Sequence, residues 1–117
     1  MGMLNPEKVL KKYVPMTETA FYILLSLDEP RHGYGIVKHV EKITKARLLL
    51  GSGTVYGTLT KMQKDGMITV FADEERKTVY ERTDIGMLIL ATEINRLKEL
   101  HENAIKYGGD VDDHQSM

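Results

Sequence analysis

Cysteine and tryptophan are missing from this chain of 117 residues, proline occurs three times, phenylalanine twice, and the formal net charge is only −1. Without cysteine there are no disulfides, thiolate zinc sites or iron-sulfur clusters, which fits a reducing compartment. No apolar run approaches the roughly 18 residues that span a bilayer. The opening stretch MGMLNPEKVLKKYV has no apolar core of the kind a signal peptide needs. A cytoplasmic protein with no membrane partner is therefore expected. The length suits one domain with a modest core. A composition of 42% hydrophobic and 28% charged residues is that of an ordinary globular fold.

The patterns of common catalytic centres are missing too. G-x-S-x-G and H-E-x-x-H do not occur, and His32, His39, His101 and His114 have no spacing to carboxylates that would gather ligands on one face. Asp110, Asp112 and Asp113 lack the helix-loop-helix context and closing glutamate of a calcium loop. The stretch LLLGSGTVYGTLTKMQKDG (48–66) invites comparison with a dinucleotide-binding turn. However, G-x-G-x-x-G needs a third glycine where the chain has Tyr56, and no Gly-Lys-Ser/Thr follows. The expectation is a protein that is not an enzyme and holds neither metal nor cofactor.

What the chain does have is an uneven charge distribution. Residues 31–64 carry seven basic side chains against one acidic, whereas residues 65–117 carry six against twelve. A local cationic region attracts a phosphate backbone even when the whole chain is near neutral. A pair of solvated lysine-rich helix faces would look the same in the sequence.

Apolar periodicity predicts a first helix over Thr17–Leu27 through Ala20, Phe21, Ile23, Leu24 and Leu27, with Thr17 as N-cap. The turn-rich DEPRHG follows. A second helix spans Tyr34–Thr44, burying Ile36, Val40 and Ile43 and leaving Lys38, Lys42 and Lys45 outside the buried stripe. After ARLLL, a short strand or extended link, Ser52 caps a third helix whose stripe is Val55, Leu59 and Met62 and whose C-cap is Gly66. MITVF (67–71) and KTVYERT (77–83) form a hairpin around ADEER. Asp84 to Tyr107 reads as one helix of about 36 Å, closed by Gly108 and Gly109.

This order gives a mostly α fold with a small β-hairpin: a winged helix-turn-helix plus a long C-terminal dimerisation helix. The expected division is an N-terminal segment and DNA-binding domain over 1–83, the dimerisation helix over 84–109, and a disordered tail over 110–117.

With Val55 set at zero on the third helix, Thr60, Gly53, Lys64, Gly57 and Lys61 fall between about 140° and 240°, opposite the buried stripe. Tyr56 and Thr54 flank them. An exposed glycine inside a helix costs about 1 kcal/mol relative to alanine, so two on one face suggest a close approach. A major groove explains them, with Thr, Lys and Tyr as donors to phosphates and base edges. Ser52, Gly53 and Thr54 would offer free amides to a phosphate. The alternatives are a neutral surface position for Gly57 and a half-buried core aromatic for Tyr56.

HGYGIVKHVE, GSGTVYGTLTKMQKDGMI and VYERTDIGM together resemble the PadR family of bacterial transcriptional regulators, in its short form with a single C-terminal helix. The resemblance covers roughly residues 16 to 107. It implies a dimeric winged-helix repressor that binds a pseudo-palindromic operator in double-stranded DNA and is released by a small apolar or aromatic effector. It also implies that Tyr34 contacts the DNA backbone, beside Lys38, and that Tyr56 opens the recognition helix. The chain departs from the family in its wing, where ADEERKTVY offers only Arg76 and Lys77 beside three acids.

On the last helix Met87, Leu90, Ile94, Leu97, His101 and Ala104 form a heptad-like seam, widened by Leu100 and others. So broad an apolar surface suits one side packed on its own domain and another on a homodimer partner. Alternatively, PEKVLKKYV folds back to cover it. Phe21, Met87 and Ala91 are candidate liners of an effector pocket, although such residues at helical spacing more often belong to the core. A winged-helix protein-interaction module that does not bind DNA is the competing functional reading.

Overall fold

The computed structural model describes residues 5–109. In chain order it contains α1 (Pro6–Tyr13), α2 (Glu18–Leu25), β1 (Arg31–His32), α3 (Gly33–Ile43), α4 (Ser52–Lys64), β2 (Ile68–Glu74), β3 (Lys77–Arg82) and α5 (Asp84–Tyr107). This is the mostly helical winged fold that the sequence predicts, with its single long C-terminal helix.

The helix starts follow from local chemistry. Thr17 accepts a hydrogen bond from the Ala20 amide at 3.1 Å, capping α2 as expected. His32 does the same for α3 through Nδ1 to the Gly35 amide, and Thr83 for α5 to the Gly86 amide. The cap of α4 differs from expectation: Gly51 is the N-cap, Ser52 is the first helical residue, and no side chain satisfies the first amides. At the other end Asp65 is the cap. Gly66 follows at φ +78°, bonding Gln63 O while Met67 bonds Met62 O.

Three further departures come from pairing that periodicity does not encode. PEKVLKKY is a helix, α1, capped by Asn5. ARLLL, by contrast, is the extended link that was one of its two expected forms: Lys45 and Ala46 turn at φ 52° and 63°, and Leu50 is then buried in the core. The hairpin is longer than expected, because Asp73 and Glu74 pair with Thr78 and Lys77, leaving only Glu75 and Arg76 as the turn. A bulge at Phe71 interrupts the register. The added strand β1 pairs with β3, giving the antiparallel order β1-β3-β2.

One core joins these elements. Ile23, Leu24, Ile36, Val40, Val55, Leu59, Met62, Met67 and Ile89 are fully buried in it. α5 reaches the core through Gly86, where a Cβ would overlap the Met67 carbonyl oxygen. The same carbonyl accepts the Thr83 amide, so the last strand and α5 close on one backbone group. Glu93, which the apolar reading of α5 passed over, is 1% exposed and accepts both the Nε and Nη2 donors of Arg96, at 2.8 and 2.7 Å. Arg96 three places later was the signal that such an acid had a partner. Beyond Leu97 every described residue of α5 is exposed, so its last three turns project from the domain. No helix among the described residues is long and apolar enough to cross a membrane.

Candidate nucleic-acid interface

The buried stripe of α4 is the predicted one, with Val55, Leu59 and Met62 fully inside. Its opposite face is therefore turned to solvent. A Cβ added at Gly53 or Gly57 would meet nothing within 4 Å. These glycines are not needed for packing among the described residues. Thr60, Lys61 and Lys64 are exposed on the same side. The Thr60 hydroxyl donates to the Tyr56 carbonyl at 2.9 Å, so the side chain presents its methyl group and an acceptor lone pair outward.

Tyr56 is neither core nor free. It is 48% exposed, yet its ring lies against Gly33 at the start of α3. Its hydroxyl also stands near the half-buried Tyr80 of β3. Burial first, then Tyr56 and Asp73, push the Tyr80 phenol above its ordinary range. Tyr56 thus ties α4 to the head of α3.

A second exposed tyrosine adjoins this junction. Tyr34, 59% exposed, stacks on His32 with ring planes 6° apart, and Lys38 Nζ stands 5.5 Å from its ring centre. His32 is held by its capping bond, so the stack is fixed at the head of α3. The sequence reading included Tyr34 and Lys38 but passed over His32; a histidine preceding Gly-Tyr-Gly was the available signal.

The cationic block is weaker than the residue count suggests. Arg31 is turned onto Asp28, Glu29 and the Ser26 carbonyl, and the Arg47 guanidinium donates two hydrogen bonds to the Glu18 carboxylate. Lys38 faces Glu41 at 3.8 Å. Lys61 and Lys64 have no ion-pair partner among the described residues, leaving charge concentrated on the open face of α4. In the wing, Arg76 and Lys77 are exposed but adjoin Asp73, Glu74 and Glu75.

On α5 the seam is revised at one position. Leu90 is 5% exposed and belongs to its own domain's core, because it faces inward beside Ile89. Met87, Ile94, Leu97, Leu100, His101 and Ala104 remain exposed, and Ile105, which the heptad omitted, extends the strip. The three candidate pocket liners do not come together. Phe21 lines a groove of about 260 Å³ between α2 and α5 with Met16, Tyr22, Glu93, Arg96 and Leu97. Met87 and Ala91 are exposed elsewhere on α5.

No curated protein matches the chain. Solved structures do. A transcriptional regulator from Clostridium thermocellum is 24% identical, with 86% of this chain and 94% of that one aligned and a TM-score of 0.66. A PadR family transcription regulator from Clostridium difficile R20291 is 20% identical over 80% of this chain and all of that one, with a TM-score of 0.68. Bacillus subtilis PadR in complex with operator DNA is 22% identical over 67% of this chain and 47% of that one, with a TM-score of 0.58. These likenesses establish the fold. The model of the PadR-like transcriptional regulator family matches residues 23–92, more than half the chain, from the core of α2 through the wing and into α5. The chain belongs to the PadR-like family of transcriptional regulators.

Proposed function

We propose that the protein is a sequence-specific regulator that binds double-stranded DNA as a homodimer and acts as a repressor. The observation that carries this reading is the open face of α4, where Gly53 and Gly57 leave space that no described residue fills and Lys61 and Lys64 have no ion-pair partner among the described residues. A helix of this shape fits a major groove with its backbone close to the base edges. Ser52, Gly53 and Thr54 supply amides without a side-chain acceptor, at the positive end of the helix dipole. Tyr34 and Lys38 reach the backbone beside the groove, and Tyr56 positions the α3–α4 junction. The operator complex of the Bacillus subtilis relative supports the reading.

Dimerisation uses the exposed strip of α5 from Met87 to Ala104 and on to Ile105. Two projecting helices paired by a two-fold axis set two α4 helices on half-sites about 34 Å apart. A small apolar or aromatic effector would occupy the α2–α5 groove at Phe21, where Leu97 is shared between groove and strip. Filling it would change how the partner helix seats, and hence the spacing of the two α4 helices.

The test is binding to the DNA upstream of the protein's own coding sequence over a range of salt concentrations. Specific affinity should fall steeply, by a slope of about 0.9 per neutralised phosphate. A protein-interaction module would show no salt-sensitive complex at any concentration below that of non-specific binding.

A further inference from the structure

α4 has a neighbour on each long side. On one flank Tyr56 meets α3, with Tyr34 and Lys38 beyond it. On the other flank lies a cleft of about 450 Å³, walled by α1 and its connection to α2. Lys12 and Thr17 line the outer wall, and Thr54, Thr58 and Lys61 the inner one, with Gly53 and Gly57 at the lip. The wheel gives the same division: Tyr56 and Thr60 lie near 100° and 140°, Lys61, Thr54 and Thr58 near about 240° to 300°.

We infer that this cleft seats a backbone phosphate of the second DNA strand, held between Lys12 and Lys61, which makes the N-terminal helix part of the DNA interface. The inference rests on the proposed DNA binding and adds to it a contact from outside the helix-turn-helix. A major groove is about 12 Å wide and a helix with side chains 10–12 Å across, so a helix lying in it has one strand's phosphates on each flank. Tyr34 and Lys38 serve one strand. The cleft is what the protein presents to the other.

The cleft is set up for an anion. Lys12 does not wander in solvent, because Asp65 holds its ammonium at 2.9 Å while also accepting the Tyr13 hydroxyl at 2.7 Å. Asp65 is the acid in contact with Lys12 and lies close to Lys61. An ammonium has three donors, so Lys12 can keep Asp65 and still donate to a phosphate. The nearby acid of α2, Glu18, is bound to Arg47. Thr17 accepts the Ala20 amide, which leaves its hydroxyl proton free to donate. The open glycine face is continuous with the cleft, so the phosphate is one of the duplex that α4 occupies.

The experiment is fluorescence anisotropy on the upstream duplex across a salt series, repeated with neutral methylphosphonates replacing single backbone phosphates. Lys12→Gln should lower the salt slope of the dimer by about 1.8, one phosphate's share of about 0.9 for each subunit, and Lys12→Arg should restore it. Lys8→Gln on the same helix should leave the slope unchanged. Tyr13→Phe, which loosens α1 while keeping the cation, should leave it unchanged as well. One methylphosphonate position in each half-site should weaken the wild type several-fold and leave Lys12→Gln indifferent. A loss of affinity in Lys12→Gln with an unchanged slope, or additive losses at every position, would overturn the cleft. If wild type makes no salt-sensitive complex, the DNA reading itself fails before the cleft is reached.

Discussion

A Cβ built on Gly33 would stand 2.6 Å from Cζ of Tyr56 and 2.8 Å from its hydroxyl oxygen, so the tyrosine ring fills the space that any other residue at 33 would claim. This contact joins the heads of the two helices that a helix-turn-helix must hold in register. It also separates stability from function, because the group that must yield is the end of a side chain rather than backbone. Gly33→Ala should therefore leave the melting temperature nearly unchanged while Tyr56 swings out. DNA affinity should fall about tenfold, or 1.4 kcal/mol, and by a similar factor in Tyr56→Ala. Wild-type affinity in Gly33→Ala would show that the placement of Tyr56 does not matter to binding.

Thr60 and Lys64 share a face but should fail differently. Lys64→Ala is expected to weaken binding to all duplexes by a similar factor and to reduce the salt slope by about one phosphate per subunit. Thr60 has committed its proton to Tyr56 O, so its methyl and lone pair are what a base would meet. Thr60→Ala should alter base preference, while Thr60→Val should keep any preference that depends on the methyl. A selection from randomised duplexes reads both; unchanged affinity and preference in the two alanine variants would mean that this face does not meet DNA.

Two carboxylates tie stability to pH. The Arg96 hydrogen bonds, opposed by burial and aided by the Met16 backbone, hold Glu93 below its ordinary value of 4.5. Burial raises Asp65, but the bonds from Lys12 and Tyr13 outweigh it and leave this acid depressed too. A carboxyl whose folded pKa lies below its unfolded one stabilises the fold above the unfolded value, and that share is lost as pH falls through the folded one. The melting temperature should thus decline as pH drops below about 4.5, and the acid decline should be shallower in Glu93→Gln, whose plateau starts lower. An acid limb identical in the variant would rule out Glu93 as a source.

Association through α5 is open to a charge. Leu97→Glu should give monomers in sedimentation while the core remains folded. Because Leu97 also lines the α2–α5 groove, Ile105→Glu is the cleaner companion: Ile105 is 63% exposed on the projecting turns. Folded dimers of unchanged stability in both variants would refute the strip.

What the sequence made legible was local. The stripe of Val55, Leu59 and Met62, the Thr17 cap and the order of helices, hairpin and long helix depend on neighbours a few residues apart, and each appears in the structure. What escaped depends on distant partners. Leu90 satisfies a heptad, yet the approach of Gly86 to Met67 turns it into its own core. Asp65 reads as the end of a helix, and only the fold brings Tyr13 to it across 52 positions. Arg31 and Arg47 counted as surface charge until Asp28, Glu29 and Glu18 were found beside them. The glycines at 53 and 57 were visible as an anomaly of one helix face; the structure adds that no contact among the described residues accounts for them.

The DNA affinity of Gly57→Leu tests the central claim most directly. The position is open and sits within α4, so leucine should raise helix stability by about 0.8 kcal/mol relative to glycine and disturb no contact. If the glycine face is clearance for a duplex, this more stable protein should bind the upstream DNA at least about tenfold more weakly than wild type. Undiminished affinity in a folded Gly57→Leu dimer would contradict the account.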